Sequence, residues 1–210
     1  MTDTPRAGRP RGSAEQVEAR RQQILDAAAC CFREQGFHNA SMQRIARTAG
    51  MSVGHIYHYF ENKEAIIAAI VAADEALTNS RFDDFRREPD VFAAMVAQAD
   101  RGLDRSLDTS RSALLMEIMA ESGRHDGIAG LVQASDQRLR EQLIELMARV
   151  DEARGQPVGA DAARCRAARA ELVIALFDGL RVRAIRHPGI DRDAVLHLMR
   201  PVLARILEGA

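Results

Sequence analysis

The chain has 210 residues, 47% of them hydrophobic and 28% charged, with a formal net charge of −1. That composition supports one large or two small packed cores and argues against intrinsic disorder. It holds no apolar run of the roughly 18 residues a membrane span needs, and the basic start MTDTPRAGRPRGS lacks the apolar segment of a secretory signal.

Cys30, Cys31 and Cys165 are an odd set without metal-site spacing, which points to a reduced, cytoplasmic protein with no metal or cofactor. The near-neutral total hides an asymmetry. Residues 1–63 carry nine Arg and Lys against six Asp and Glu, while the remainder carries 20 against 24. If either end faces an anion, it is the first.

Apolar residues recur at helical spacing along nearly the whole chain, with almost no strand signal, so an all-α fold of about nine helices is expected. Residues 1–14 read as a flexible basic arm. A first helix runs from about Glu15 to Gln35, with Ile24, Ala28, Cys31 and Phe32 on one face and Gly36 ending it. Ser41 caps a short helix, MQRIARTAG, and Gly50 stops it. Ser52 caps VGHIYHYF, and Asn62 caps a fourth helix beginning at Lys63. After Pro89 come longer segments near 90–108, 110–123, 127–154, 161–187 and 191–208.

MSVGHIYHYF holds both tyrosines of the chain and two of its six histidines. Two short helices joined by a Gly-containing turn form a helix-turn-helix when the positions between them are small or apolar. Ile45, Ala49, Met51, Ile56 and Phe60 supply those contacts here. Such a unit lays its second helix in the DNA major groove, where His55 reaches a base edge or a phosphate and Tyr57 and Tyr59 donate to phosphate oxygens. The arm places Arg9 and Arg11 around a proline. It is either a minor-groove contact or a solubilising tail.

From Ile24 to Ile70 the chain resembles the DNA-binding domain of TetR/AcrR-family transcriptional regulators. The likeness rests on Phe32, Gly36-Phe37, Ser41, Ile45-Ala46 and Ala49-Gly50. It continues through Ser52, Tyr57-x-Tyr59-Phe60 and Asn62-Lys63-Glu64. The resemblance implies a helix-turn-helix domain over 15–62 and a helical effector-binding and dimerisation domain over 63–210. It implies base contacts from Val53, Gly54 and His55, further contacts from Gln43, Tyr57 and Tyr59, and a phosphate contact from Lys63. Met42 stands where a second threonine is frequent in the family, which removes one phosphate contact. Double-stranded DNA, a small-molecule effector and a second copy of the chain are the implied partners, and repression is the implied output.

The segment Leu114 to Leu146, with LFDGLRVRAI at 176–185, is similar to the C-terminal domains of choline-responsive betaine-synthesis repressors. Yet the aromatic faces that would cage a quaternary ammonium are limited to Phe82, Phe85, Phe92 and Phe177. Phe92, Met95, Leu115, Met116, Met119 and Phe177, with Glu117 among them, are the candidate pocket residues, although methionines fill ordinary cores as well. The resemblance implies that the last two helices make a four-helix dimer interface. Leu172, Ala175, Leu176 and Gly179, and then Val195, Leu198, Met199, Val202 and Ile206, recur at the required spacing. Control by a protein partner or by cysteine oxidation is the alternative. No catalytic constellation is visible, since His125, His187 and His197 stand apart without paired carboxylates.

Overall fold

The computed structural model describes residues 11–209, with side chains from residue 14 onward. Arg9 lies outside the described residues, as does the side chain of Arg11. Among the described residues there are ten helices and no strand. They are α1 (Arg11–Asn39), α2 (Met42–Thr48), α3 (Val53–Tyr57), α4 (Lys63–Arg87), α5 (Val91–Ala97), α6 (Ala99–Leu107), α7 (Thr109–Ser122), α8 (Asp126–Ala153), α9 (Ala160–Arg186) and α10 (Arg192–Glu208). Two compact units divide between Ile70 and Val71, inside α4. No helix among the described residues is long and apolar enough to cross a membrane.

The caps that the sequence signals form as expected. Ser41 Oγ accepts from the Arg44 N–H at 3.2 Å, Ser52 Oγ from the His55 N–H at 3.2 Å, and Asn62 Oδ1 from the Ala65 N–H at 2.7 Å. Each satisfies a donor that the first helical turn leaves without a backbone partner. Gly36 departs from helical geometry (φ 75°, ψ 160°), and one further helical turn follows it before α1 ends.

Three expectations are corrected. The first helix starts at Arg11, not Glu15, so Arg11 belongs to a helix rather than to an extended arm. The third helix spans only Val53–Tyr57, and His58 to Phe60 turn away from it. The single helix expected over 90–108 is two, α5 and α6, broken at Gln98 (φ −89°, ψ 15°). No Gly or Pro marks that break. Val91, Met95, Ala99, Leu103 and Ser106 are all buried and keep one phase across it, so the hydrophobic stripe looks continuous.

The first unit packs Ile24, Ala28, Cys31 and Phe32 of α1 against Ile45 and Ala46 of α2, Ile56 of α3, and Ile66 and Ile67 of α4, all essentially inaccessible to water. The second has a core of Phe82, Phe85, Met95, Leu103, Leu146, Met147, Val173 and Leu203 drawn from α4, α5, α6, α8, α9 and α10. α6 packs on α9, α7 on α8, and α10 on α5 and α6. A buried ion pair ties the C-terminal end together. Arg169 holds Asp151 at 2.9 Å and donates to the Ile206 carbonyl at 2.8 Å and to that of Leu207.

Candidate nucleic-acid interface and ligand cavity

The turn between α2 and α3 is closed from three directions. Gly50 takes a left-handed conformation (φ 65°), and its N–H reaches the Arg47 carbonyl at 3.1 Å while the Met51 N–H reaches that of Ala46 at 2.9 Å. Both bonds satisfy the carbonyls that end α2, and the positive φ favours glycine there. From α1, Gln23 Nε2 donates to the Ala49 carbonyl at 2.8 Å. Ile56 is fully buried and anchors α3, which leaves Val53, Gly54, His55 and Tyr57 on the exposed side.

Tyr59 is half-buried, its ring 5.3 Å from that of His55 and 5.5 Å from that of His58. Gln43 is exposed on α2, and Arg47, one helical turn further on, is exposed without an ion pair among the described residues. Met42 is buried at the start of α2. Reading MQRIARTAG for its apolar spacing overlooked Arg47, although Gln43 and Arg47 are four apart and share a helix face.

Lys63 stands apart from this set. Its ammonium donates to the Phe37 carbonyl at 2.6 Å and to that of His38 at 3.4 Å, and lies 4.3 Å from the centre of the Phe37 ring. It thus serves the C-terminal end of α1, where unpaired carbonyls and the helix dipole favour a cation.

None of the three cysteines is in a disulfide, and Cys165 is exposed. Cys31 is buried beside the Thr48 hydroxyl. Its neighbour Cys30 has its thiol pushed up by a hydrogen bond to Glu34 and by burial. Among the described residues no group of three or more His, Cys, Asp or Glu is arranged to hold a metal.

The second unit contains a cavity of about 300 Å³. Met95, Leu115, Met116, Met119 and Phe177 line it, with Met119 half exposed at its rim. Phe92 and Glu117 do not. Phe92 lies in a separate depression beneath the Arg154 guanidinium, 3.8 Å from the ring centre. Three features of this wall escaped the sequence reading. Residues of α4 from Val71 to Phe85 form much of it. Gly102 lets α6 sit so close to Phe177 that an added Cβ would lie 2.7 Å from the ring. Charged groups on α4, α6 and α9 border the apolar floor. Asp74 accepts from Arg105 at 2.9 Å and from Arg111, Arg138 holds Glu75 at 2.8 Å, and Arg181 pairs with Asp178.

An uncovered apolar stripe runs along α9 and α10. Leu172, Ala175, Gly179 and Val182 are exposed at intervals of three and four residues, as are Leu198 and Val202. Gly179 has nothing within 4 Å of the position a Cβ would take. Of the residues expected there, Met199 instead points into its own core, and Leu176, Val195 and Ile206 are partly buried against it.

Residues 24–70 match the family described as bacterial regulatory proteins, tetR family, and residues 94–208 match the BetI-type transcriptional repressor C-terminal family. The HTH-type transcriptional regulator UidR of Escherichia coli K12 is 35% identical over 137 residues, which cover 63% of this chain and 67% of that one. The HTH-type transcriptional regulator BetI of Klebsiella pneumoniae is 29% identical over 170 residues, 79% of this chain and 82% of its own. Among solved structures, Salmonella enterica GusR superposes with a TM-score of 0.67 at 29% identity, over 89% of this chain and 96% of that one.

Proposed function

Since the chain belongs to the TetR family of bacterial regulatory proteins, we propose that it is a ligand-responsive repressor that binds a pseudo-palindromic operator as a homodimer in the cytoplasm. The observation that carries the reading is α3 itself. One buried residue, Ile56, holds it in place, and its other side chains are free to meet a partner.

Val53, Gly54 and His55 then address base edges. The first two offer no side-chain hydrogen bond, so their readout is apolar, while His55 supplies the polar contact. Tyr57, Tyr59 and Gln43 contact the backbone or bases, with Arg47 a further phosphate contact. Lys63 can serve a phosphate only with the hydrogen its two carbonyls leave over. Arg9 and Arg11 are proposed to reach the minor groove from the N-terminal side.

Dimerisation is supported by the stripe on α9 and α10. A glycine inside a helix costs about 1 kcal/mol relative to alanine, and Gly179 meets nothing among the described residues to compensate. Close approach of a second copy supplies the reason. Two recognition helices also extend the sequence read, because each short helix covers few bases.

The effector occupies the cavity. Because α4 contributes Ile66 and Ile67 to the first core and Val71 to Phe85 to the cavity wall, a ligand that favours one position of α4 biases the DNA-binding unit. Cysteine oxidation is not favoured, given the buried Cys31 and the raised thiol of Cys30.

Selection of bound fragments from genomic DNA, followed by footprinting, tests the reading. The expected footprint has two inverted half-sites about one helical turn, or a small multiple of it, apart. Leu172→Asp with Leu198→Asp should yield a monomer in sedimentation and lose the operator. A single unrepeated site bound by a monomer would overturn the proposal.

A further inference from the structure

Of the charged groups that border the cavity, one differs from the rest. Asp74, Glu75 and Asp178 are all answered by arginines, and Arg105 and Arg181 by carboxylates. Among the described residues Asp136 has no such partner, but it is open to water. Arg81 lies on the cavity wall, and its Nε is buried with no hydrogen-bond partner among the described residues. It forms no ion pair there either. Burial pushes its pKa below the usual guanidinium value, and the nearby charges of Arg105 and Arg101 push the same way against the pull of Asp100.

Burying Nε without an acceptor is unfavourable, since its water has been removed and nothing has replaced it. A second guanidinium alongside adds repulsion. Local charge does not relieve this. Arg105 and Arg111 share the single carboxylate of Asp74, so that carboxylate has no negative charge left over to offset Arg81. Phe82, Phe85, Met95, Met116 and Phe177 give the same cavity an apolar floor.

We propose that Arg81 is the anchoring cation of this cavity and that its ligand is an amphiphilic anion, a carboxylate or equivalent group on an apolar body. The inference rests on the effector-cavity reading above and adds the chemistry of the effector. It sets this cavity apart from one built for a quaternary ammonium, which Arg81 would repel. At about 300 Å³ the chamber is at the small end of ligand sites and takes one compact molecule.

Three probes with the same alkyl chain separate the possibilities: decanoate, decanol and decyltrimethylammonium. Their affinities for the full chain are measured by displacement of the neutral fluorophore N-phenyl-1-naphthylamine. Decanoate should bind at least about tenfold more tightly than decanol, the worth of one charge-assisted hydrogen bond. Arg81→Met should erase that difference and leave decanol binding unchanged, and Arg81→Lys should restore part of it. Arg87→Met, on the same helix but exposed and paired with Asp84, should change nothing. Because Arg81→Met removes an unpaired cation, its melting temperature should equal or exceed that of the wild type. If it fails to fold, Arg81→Gln takes its place. Equal binding of decanoate and decanol, a decanoate preference that survives loss of Arg81, or tightest binding of the cation would each overturn the assignment while sparing the effector cavity. Failure of every probe, fluorophore included, would overturn both.

Discussion

His55 and Tyr57 project from the same short helix but do different work. An imidazole can donate to or accept from a base edge, and His55 is exposed with its ring 5.3 Å from that of Tyr59. His55→Ala should therefore change the preferred bases, with about 1–3 kcal/mol less discrimination at one operator position. Tyr57→Phe should instead weaken all sequences alike by about 1 kcal/mol. Enrichment from a randomised DNA pool checks both, and an unaltered consensus for His55→Ala would make it a backbone contact. Lys63 shows how a motif residue can take on a structural task. With its ammonium on the Phe37 and His38 carbonyls, Lys63→Met should lower the stability of the first unit by about 1 kcal/mol. As Lys63 is the sole lysine of the chain, acetylation of side-chain amines should lower the melting temperature in the same way, and operator-free protein suffices to observe it. An unchanged melt would return Lys63 to an exclusively DNA-facing role.

Among the elements, α6 comes close to α9 at a single residue, Gly102. Gly102 sits inside a helix, where alanine would ordinarily be favoured by about 1 kcal/mol. A methyl group there would meet the Phe177 ring at 2.7 Å and 2.9 Å. Gly102→Ala should therefore displace the ring into the cavity, because ring rotation is easier than separating α6 from α9. The expected result is at least about tenfold weaker displacement-probe binding with little change in melting temperature, the helix gain offsetting the strain. Unchanged probe affinity would show that α6 moves instead. The α5–α6 break acts on the same wall, since Met95, Gln98 and Ala99 line the cavity on either side of it.

At the scale of the molecule, ion pairs between distant helices cross-brace the second unit. Arg86 links α4 to Glu145 of α8 at 2.8 Å, and Arg192 links α10 to Asp104 of α6 at 2.5 Å and 3.0 Å. Hydrogen bonds from these arginines hold both carboxyls below their ordinary values of 4.5 and 3.8. A carboxyl with a lowered pKa in the folded state stabilises above its unfolded pKa, and that contribution is lost as pH falls through the folded value. Asp178 acts in the opposite sense, because burial raises its pKa and folding then favours its protonated form as pH falls. Melting temperature should accordingly decline as the pH drops below the ordinary range of Glu145 and Asp104. Glu145→Gln with Asp104→Asn should flatten the decline, and Asp178→Asn should steepen it. Since the carboxylates are largely exposed, salt should reduce the first effect. A pH profile untouched by the double substitution would place the acid sensitivity elsewhere.

The helical class, the three caps, the Gly50 turn and the exposed Tyr57 and His55 could all be read in the sequence because each depends on neighbours within a few residues. Apolar period, a hydroxyl before a helix and a glycine after one are local causes with local effects. The break at Gln98, the Gly102–Phe177 contact and the unpaired Arg81 were not legible, since each is defined by what another helix places beside it. Lys63 and Phe37 lie 26 residues apart, and nothing in their spacing says that one ends the other's helix. Likewise the methionines of α7 declared themselves apolar, but only the packing of α4, α6, α7, α8 and α9 made them walls of a cavity. Periodicity states which face of a helix avoids water, and tertiary packing alone decides whether that face meets another side chain or a space.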